Sequence, residues 1–265
     1  LNQFLNICTL QWAFRYVYTA EPEFTALPLV FGSAFHRALE YEARQKMAGE
    51  DIPPEAVSTL FSDVLSHLVR TAEPKVRFGE RDDIDALHAT GRRMIGAYLA
   101  DGGVSGNVLG VSVPFRTVLR DGDRTVGLPV VGEIDCLIET EDARVVVDWK
   151  SAARKWAKGK ESLDLQPTCY LYALVDDPQC ADASFRFDIV TKTKTPSVER
   201  RMTARTADHF ARLIEQVKVM ERMVRAELFL PSDQSWACRG CPYSESCRAW
   251  HRNRNVSLYC FRLTA

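Results

Sequence analysis

The chain has 265 residues, of which 46% are hydrophobic and 26% charged, a composition typical of a globular protein with one large core or two modest ones. Its 34 Lys and Arg residues nearly balance 35 Asp and Glu residues, which excludes binding of nucleic acid through a polyelectrolyte tail. No apolar run approaches the roughly 18 to 20 residues of a membrane span, and no signal peptide is present, so we expect a cytoplasmic protein without a membrane partner. The first residue is Leu, which suggests a chain cut from a longer protein.

The first hundred residues have the apolar spacing of helices. An aromatic-rich stretch covers residues 4–18, and Ser33 is the predicted N-cap of a helix that runs toward Met47, after the prolines at positions 22 and 28. Apolar residues at intervals of three and four predict two more helices, at residues 55–71 and 80–100.

After Gly102 and Gly103 the pattern changes to strands. Alternating residues predict strands at 108–119, 130–138 and 144–149, with a turn at 121–123. The later predicted elements are a helix at 165–175 with Pro167 in its first turn, strands at 184–190 and 197–202, and a long amphipathic helix at 206–228. No G-x-x-x-x-G-K-[ST] phosphate loop is present, so the sequence gives no case for an ATPase or helicase motor.

The eight cysteines favour a metal or redox cluster over a disulfide framework, because the chain is neither small nor visibly secreted. Three of them form a C-x2-C-x5-C pattern of Cys238, Cys241 and Cys247, and Cys8 stands alone near the other end. The remaining four are interpreted as small buried hydrophobes; they are Cys136, Cys169, Cys180 and Cys260.

Two acidic residues on neighbouring strands form the most informative pattern. If the strands on either side of residues 140–143 form a hairpin, Asp135 lies opposite Asp148, and directly opposed residues have Cβ atoms about 4.5 to 5.5 Å apart. Like charges so placed destabilise a sheet unless a cation bridges them, and hard carboxylate ligands suit Mg²⁺ or Mn²⁺. Lys150 lies on the same face as Asp148, where it could stabilise phosphorane charge or help deprotonate a nucleophile.

A plainer interpretation is that Asp135 and Asp148 are solvated carboxylates at strand ends, with Lys150 as their surface partner. The apolar neighbours of these residues, Ile134 and the valines at 145–147, argue against a fully exposed face. Glu133 would fall opposite Lys150, either as an extra metal ligand or, as we favour, as a partner of the lysine.

This segment resembles the core of the PD-(D/E)XK nuclease superfamily. Gly132-x-x-Asp135 corresponds to its second motif and Asp148-Trp149-Lys150 to its D-x-K motif. The implied fold is α/β, a restriction-endonuclease-like core with a central mixed β-sheet flanked by helices, together with an N-terminal helical region and a cysteine cluster that joins the two termini.

Two further motifs are similar to those of the RecB-like branch. Gly32-x-x-x-His36 resembles its helical histidine motif, and Gln166-x-x-x-Tyr170 resembles its helix after the D-x-K strand. A lone histidine on an apolar helix face is usually a core residue, but the resemblance makes His36 a metal ligand beside Asp135 and Asp148. Gln166 and Tyr170, four residues apart, share a helix face directed at substrate or the lysine, or else are a surface pair.

The cysteine spacing resembles the arrangement that holds a [4Fe-4S] cluster in AddB-type nucleases and in the CRISPR-associated RecB-like exonucleases of spacer acquisition. The implied ligands are Cys8, Cys238, Cys241 and Cys247, which would tie the two ends of the chain together. Four-cysteine zinc would do the same and is an alternative, as is the absence of a metal.

The resemblance implies a metal-dependent DNA exonuclease that uses Mg²⁺ or Mn²⁺, acts on single strands or DNA ends, and serves DNA repair, recombination or CRISPR adaptation. Lys150, Asp135, Asp148, Gln166 and Tyr170 are the expected catalytic residues. The alternatives are a DNA-end-binding or assembly subunit of a complex with a helicase or a CRISPR integrase, and a zinc-stapled structural protein, which leaves the D-x-K hairpin unexplained.

A basic loop after the D-x-K strand is the predicted DNA contact, because cations neutralise phosphates and an interleaved aromatic ring stacks on bases. Its members are Arg154, Lys155, Trp156, Lys158 and Lys160. The alternative is a solvated loop. We divide the chain into an N-terminal segment with one cluster cysteine (1–30), a helical region with the histidine motif (31–104), the nuclease core (105–230) and a C-terminal cysteine segment (231–265).

Overall fold

The computed structural model describes residues 1–141, 143–233 and 236–252. Its helices are a π-helix at Gln3–Ile7, α1 (Thr9–Tyr16), α2 (Leu27–Met47), α3 (Pro54–Thr71), α4 (Ile84–Ala100), α5 (Lys160–Leu163), α6 (Gln166–Leu174), α7 (Ala207–Arg225) and a 3₁₀ turn at Trp236–Gly240, and residues 244–252 are also helical. Its strands are β1 (Thr25–Ala26), β2 (Val76–Arg77), β3 (Asn107–Asp121), β4 (Arg124–Glu139), β5 (Arg144–Ala152), β6 (Ser184–Thr191) and β7 (Val198–Thr203). No described helix is long and apolar enough to cross a membrane.

The chain divides into two compact units. Unit 1 contains Leu1–Ala26, Ala72–Arg77 and Gln216–Ala265, and unit 2 contains Leu27–Thr71 and Phe78–Glu215. Helices α2 to α6 lie in unit 2, and α7 is divided between the units at Glu215 and Gln216.

Unit 2 is built on a mixed sheet of five strands in the order β3-β4-β5-β6-β7. β5 and β6 run parallel, and the other neighbours are antiparallel. A parallel pair needs a crossover connection, which α5 and α6 provide between the two strands. The mixed α/β fold with helices against a central sheet confirms the fold class expected from the sequence.

Side chains of β5 alternate between two helical layers. Val146 belongs to a buried cluster with Leu171 of α6, whereas the ring of Trp149 contacts Tyr98 of α4 and His36 of α2. Because successive strand residues point to opposite faces, Asp148 and Lys150 share the face of Val146, toward α6. The sheet therefore places the acidic and basic residues of the D-x-K motif between β5 and the crossover helix.

The helix with the histidine motif begins earlier than predicted. α2 starts at Leu27, so Ser33 is an interior residue and its predicted role as the N-cap is wrong. Pro28 lies in the first turn, where its missing N–H and fixed φ are compatible with a helix.

β4 is also longer than predicted, because it begins at Arg124, directly after the turn at Asp121–Asp123. β4 pairs with β5 only over Cys136–Glu139, so the earlier part of the β3–β4 hairpin forms a two-stranded ribbon. Register shifts interrupt that ribbon between Val108 and Gly110 and between Thr117 and Leu119.

Unit 1 joins segments from both ends of the chain around an aromatic core. Its buried residues are Phe4, Leu10, Ala13, Phe14, Phe229 and Tyr243. The hydroxyl of Thr9 donates to the carbonyl of Leu230 over 3.0 Å and accepts the Leu230 N–H over 2.7 Å. The carboxylate of Glu23 accepts hydrogen bonds from the Ser244 hydroxyl and from the Glu245 N–H. These contacts fix the first helix of the chain against the C-terminal segment.

Candidate active site

The β4–β5 hairpin has the register predicted from the sequence. Cys136 pairs with Val147 and Glu139 with Arg144, and the turn is closed by the Thr140 N–H, which donates to the Ala143 carbonyl. The backbone pairing of β4 with β5 ends at Cys136 and Val147. At the next positions, the backbone N–H of Trp149 donates instead to Oδ2 of Asp135 over 3.1 Å. The Asp135 side chain thus replaces a main-chain acceptor at the point where the two strands separate.

Asp148 is completely buried, which excludes the interpretation of this residue as a solvated carboxylate at a strand end. Its Oδ1 accepts a 2.5 Å hydrogen bond from Nε2 of Gln166. Its Oδ2 lies 2.5 Å from Nζ of Lys150 but accepts no well-aligned hydrogen bond. Burial raises the pKa of Asp148 to about 6, against the opposing effect of the Lys150 charge, and the neighbouring Asp135 adds to the increase.

Lys150, Gln166 and Tyr170 form one hydrogen-bonded chain on the side of Asp148. Nζ of Lys150 donates to Oε1 of Gln166 over 2.9 Å, and Nε2 of Gln166 donates to the Tyr170 hydroxyl over 3.0 Å. Gln166 and Tyr170 lie one turn apart on α6, so the helix fixes both. Nζ of Lys150 contacts Asp148 and Gln166, and Glu133, its expected partner, is exposed and pairs with Pro114 on β3.

His36 reaches the site from α2. Its Nδ1 lies 3.1 Å from Oδ2 of Asp135, the same oxygen that accepts the Trp149 N–H. Burial lowers the pKa of His36, but the hydrogen bond to Asp135 and the charges of Asp135 and Asp148 outweigh that effect, so the pKa is raised. The structure therefore brings the histidine, both carboxylates, the lysine and the glutamine together.

A buried network behind the site holds Trp149, and sequence reasoning missed it. The indole Nε1–H donates to the Tyr98 hydroxyl over 2.9 Å, and that hydroxyl donates to Oδ2 of Asp188 over 2.9 Å. Arg186 binds the same carboxylate with Nε over 2.7 Å and Nη2 over 3.1 Å. Tyr98 lies about fifty positions from Trp149, so no local pattern could have revealed this contact.

Comparison with known proteins agrees with this geometry. A family model of the PD-(D/E)XK nuclease superfamily matches residues 1–248. The chain belongs to the PD-(D/E)XK nuclease superfamily. No curated protein matches the sequence.

Solved structures with a similar course of the chain are distant in sequence. One is a protein of Eubacterium rectale, provisionally named an exonuclease, with 15% identity over 85% of this chain and 90% of its own and a TM-score of 0.44. Another is the protein SSO0001, with 13% identity over 89% of this chain and 91% of its own and a TM-score of 0.36.

Members of the PD-(D/E)XK superfamily generally use Mg²⁺ or Mn²⁺. The donors that meet here, two carboxylates and one imidazole, fit such hard cations, and Oδ2 of the buried Asp148 lacks a well-aligned hydrogen bond. In the structure these donors bond to each other and to Lys150. Within the described ranges, no three His, Cys, Asp or Glu side chains have the mutual spacing of a metal site.

The four motif cysteines lie in unit 1 and line one cavity of about 300 Å³. Sγ of Cys8 accepts the Gln11 N–H over 3.4 Å, and Sγ of Cys238 donates to the Ser232 carbonyl over 3.1 Å. Burial raises the pKa of Cys247 to about 11 and also raises that of Cys241, and neighbouring thiols of the set contribute to both shifts. All seven cysteines of the described part of the chain are free thiols.

The single cysteines follow the sequence interpretation where the structure describes them. Cys136, Cys169 and Cys180 are buried, and burial raises the pKa of Cys136 to about 12 and that of Cys169 to about 11. Cys260 lies outside the described residues. Buried thiols with raised pKa are poor nucleophiles, which agrees with a packing role.

The basic loop after β5 is fixed by a residue of β7. Arg201 donates over 2.8 Å to the carbonyls of Trp156 and Ala157. The Trp156 ring packs 4.9 Å from Phe187, and Nζ of Lys160 lies 4.0 Å from its centroid, so a stacked base would have to displace this lysine. Arg154, Lys155 and Lys158 are all exposed, and Nζ of Lys155 lies 3.8 Å from Glu199. The role of the loop in binding DNA stays a prediction.

Proposed function

We propose that this chain is a metal-dependent DNA exonuclease that hydrolyses phosphodiester bonds of single strands or DNA ends. The observation that carries the proposal is the convergence of Asp148, Lys150 and Gln166 with the Asp135–His36 pair in unit 2. The exposed cations that follow β5 support an anionic polymer as the substrate.

The roles of the residues follow from their contacts. His36, Asp135 and Asp148 would hold Mg²⁺ or Mn²⁺, which when bound supplies an activated water and stabilises negative charge on the phosphate. Lys150 presents an ammonium group to the oxygens of the reacting phosphate. Gln166 orients that ammonium through Oε1 and orients Asp148 through Nε2, and Tyr170 fixes the amide of Gln166.

The deciding experiment compares wild-type protein with Lys150→Met on end-labelled single-stranded and double-stranded DNA. We expect degradation with Mg²⁺ or Mn²⁺, none with EDTA, and a loss of at least about a hundredfold in the variant. Lys218→Met, which removes the same ammonium group from a lysine on α7, serves as the control and should retain activity. Full activity of Lys150→Met would refute the assigned mechanism.

A circular single strand separates exonuclease from endonuclease action. An exonuclease needs an end, so the circle should persist while the linear form of the same sequence is degraded. Cleavage of the circle would contradict the exonuclease assignment while retaining the nuclease. Stable DNA binding without cleavage of any substrate would favour the alternative, a DNA-end-binding or assembly subunit.

We also propose that Cys8, Cys238, Cys241 and Cys247 bind a [4Fe-4S] cluster. The support is their shared cavity of about 300 Å³, their free thiols and the resemblance of their spacing to that of AddB-type nucleases. Anaerobically purified protein should be brown and contain stoichiometric iron and sulfide. Cys241→Ser should lose both, and Cys180→Ser, a change outside the set, should keep them. Colourless protein with stoichiometric zinc would refute the cluster.

The same resemblance supports a place in DNA repair, recombination or CRISPR adaptation, with a helicase or a CRISPR integrase as partner. Co-purification of the chain with such a protein, followed by a gain in cleavage when the two are mixed, tests this part of the proposal. Cleavage unchanged by any such partner would contradict it.

A further inference from the structure

We propose that Lys192 binds a backbone phosphate of the DNA strand about three nucleotides from the reacting phosphate. This inference rests on the proposed function, because DNA is its ligand. Lys192 follows β6 directly and belongs to a Thr-Lys-Thr-Lys segment that the sequence-based assignment of DNA contacts left out.

Lys192 and the catalytic Lys150 both lie toward the C-terminal ends of two adjacent strands. β5 and β6 are parallel, Lys150 pairs with Ile189, and the Lys192 N–H donates to the carbonyl of Ala152 over 2.7 Å. Three residues beyond Ile189 correspond to about 10 Å along the strands. Lys150 points toward α6 and Lys192 toward α2, so a DNA strand that contacts both would pass around the end of β5. At about 3.4 Å per nucleotide, a separation of about 10 Å corresponds to about three nucleotides.

The side chain of Lys192 extends toward α2, the helix that carries His36. Its Nζ lies 4.2 Å from the ring centroid of Phe31, and Phe31 precedes His36 by five residues, about 7.5 Å along the helix axis. The next residue, Gly32, lines a cavity of about 400 Å³ along α2, whose other lining residues are Pro28, Leu29, Ser33, His36, Arg37 and Glu40. A Cβ atom at Gly32 would meet only Ser151 Oγ, 4.0 Å away, so open space adjoins the end of β5.

Lys192 is a partly buried cation that no carboxylate in the described ranges offsets. Burial alone lowers its pKa to about 8, and no neighbouring charge contributes. By contrast, Arg200 and Arg201 of the adjacent strand β7 both pair with acidic side chains. Burial of an uncompensated charge destabilises a fold, and an anionic ligand would remove that cost.

The loop that carries Lys192 is fixed before any ligand binds. The Thr191 hydroxyl is almost fully buried, accepts the Ser197 N–H over 2.9 Å and contacts the hydroxyls of Thr193 and Ser197. These bonds close the β6–β7 turn. The cation is therefore presented at a defined position, as a phosphate site requires.

The test measures DNA binding in EDTA, where metal-dependent cleavage does not occur, so its outcome does not depend on the nuclease assignment. A labelled single-stranded oligonucleotide is titrated at several salt concentrations with Lys192→Met, Lys192→Arg and Lys194→Met. We expect Lys192→Met to bind about tenfold more weakly and to reduce the slope of log K against log salt by about 0.7. Lys192→Arg should retain binding, and Lys194→Met, an exposed lysine two residues away, should change it by less than roughly twofold.

Thermal unfolding separates a ligand site from a packing role. If Lys192 binds an anion and does not stabilise the free protein, Lys192→Met should melt at the wild-type temperature or above it. A clearly lower melting temperature would assign Lys192 to packing on Phe31 and overturn the proposal. The proposal would also be overturned if Lys192→Met bound DNA as tightly as wild type, or if Lys194→Met lost as much affinity as Lys192→Met. It would likewise be overturned if Lys192→Arg folded but did not bind DNA, or if the wild-type protein did not bind DNA.

Discussion

The backbone N–H of Trp149 donates to Oδ2 of Asp135 at 3.1 Å, and the same oxygen lies 3.1 Å from Nδ1 of His36. One carboxylate oxygen thus connects the D-x-K strand to the helix with the histidine motif. The contacts of Asp135 with Trp149 and His36 require an oxygen that accepts hydrogen bonds, whereas the proposed binding of a cation would require its negative charge.

Asp135→Asn separates these two contributions. An amide oxygen can still accept the Trp149 N–H, but the negative charge is lost. We expect cleavage to fall by more than about a hundredfold, since even residues that only orient metal ligands contribute 10- to 100-fold. Electron paramagnetic resonance of Mn²⁺ or calorimetric titration should show weaker metal binding.

Asp83→Asn is the matched control for that change. Asp83 caps α4 by accepting the Ala86 N–H over 3.0 Å, and Asn caps helices as well as Asp does. Cleavage by Asp83→Asn should equal that of the wild type. Retained cleavage in Asp135→Asn would remove Asp135 from the list of metal ligands.

Tyr98→Phe should destabilise unit 2. The substitution removes the hydroxyl that links the Trp149 indole to Asp188 and leaves a buried N–H without its acceptor. The expected loss in the free energy of unfolding is about 1 to 3 kcal/mol, measured by denaturant titration. Tyr172→Phe is the control, because that hydroxyl accepts one bond from the partly solvated Arg120 N–H, and it should cost about 1 kcal/mol or less. Equal stability of Tyr98→Phe and wild type would show that the network does not support the fold.

Two glycines of α4 should respond oppositely to alanine. A Cβ atom at Gly91 would lie 2.0 Å from the ring of Phe61, whereas one at Gly96 meets no atom within 4 Å. Gly91→Ala should therefore lower the free energy of unfolding by at least about 1 to 3 kcal/mol, because the added methyl group overpacks the contact with Phe61. Gly96→Ala should stabilise it by up to about 1 kcal/mol through helix propensity. Thermal melts of the two variants give the comparison, and a stable Gly91→Ala would contradict the packing of α3 on α4.

Glu42→Gln should change how stability depends on pH. Burial raises the pKa of Glu42 to about 6, despite the charge of Lys46, and Oε2 has no hydrogen-bond partner in the part of the chain that the structure describes. Because the folded state binds this proton more tightly, the stability of the wild type falls as pH rises from about 4.5 to about 6. The variant removes this loss, so it should be more stable than wild type by roughly 1 kcal/mol at about pH 8 and similar at about pH 4. An equal gain at both pH values would refute the assignment to Glu42.

The hairpin register and the position of the D-x-K residues were predictable, because a strand has a fixed period of two and a short turn fixes its pairing. The start of α2 was not, since Pro28 is compatible both with a break and with a first helical turn. The contacts of Tyr98 and Lys192 were not predictable either, because tertiary packing brings these residues beside Trp149 and Phe31. The sequence shows which residues are polar, but it does not show which of them are buried without a counter-charge.

Unit 1 is built from segments that are far apart in the sequence, so it cannot be completed until its C-terminal segment has been synthesised. The ring of Phe14 lies 5.9 Å from that of Tyr243, and that of Trp12 lies 6.2 Å from that of Phe229. Ribosomes add about 5 to 20 residues per second, so the roughly 190 residues between Ala26 and Gln216 take on the order of 10 to 40 s. During that interval the aromatic face of α1 has no partner from the C-terminal segment. The nascent chain therefore exposes a hydrophobic surface that chaperones can bind until the last segment is made.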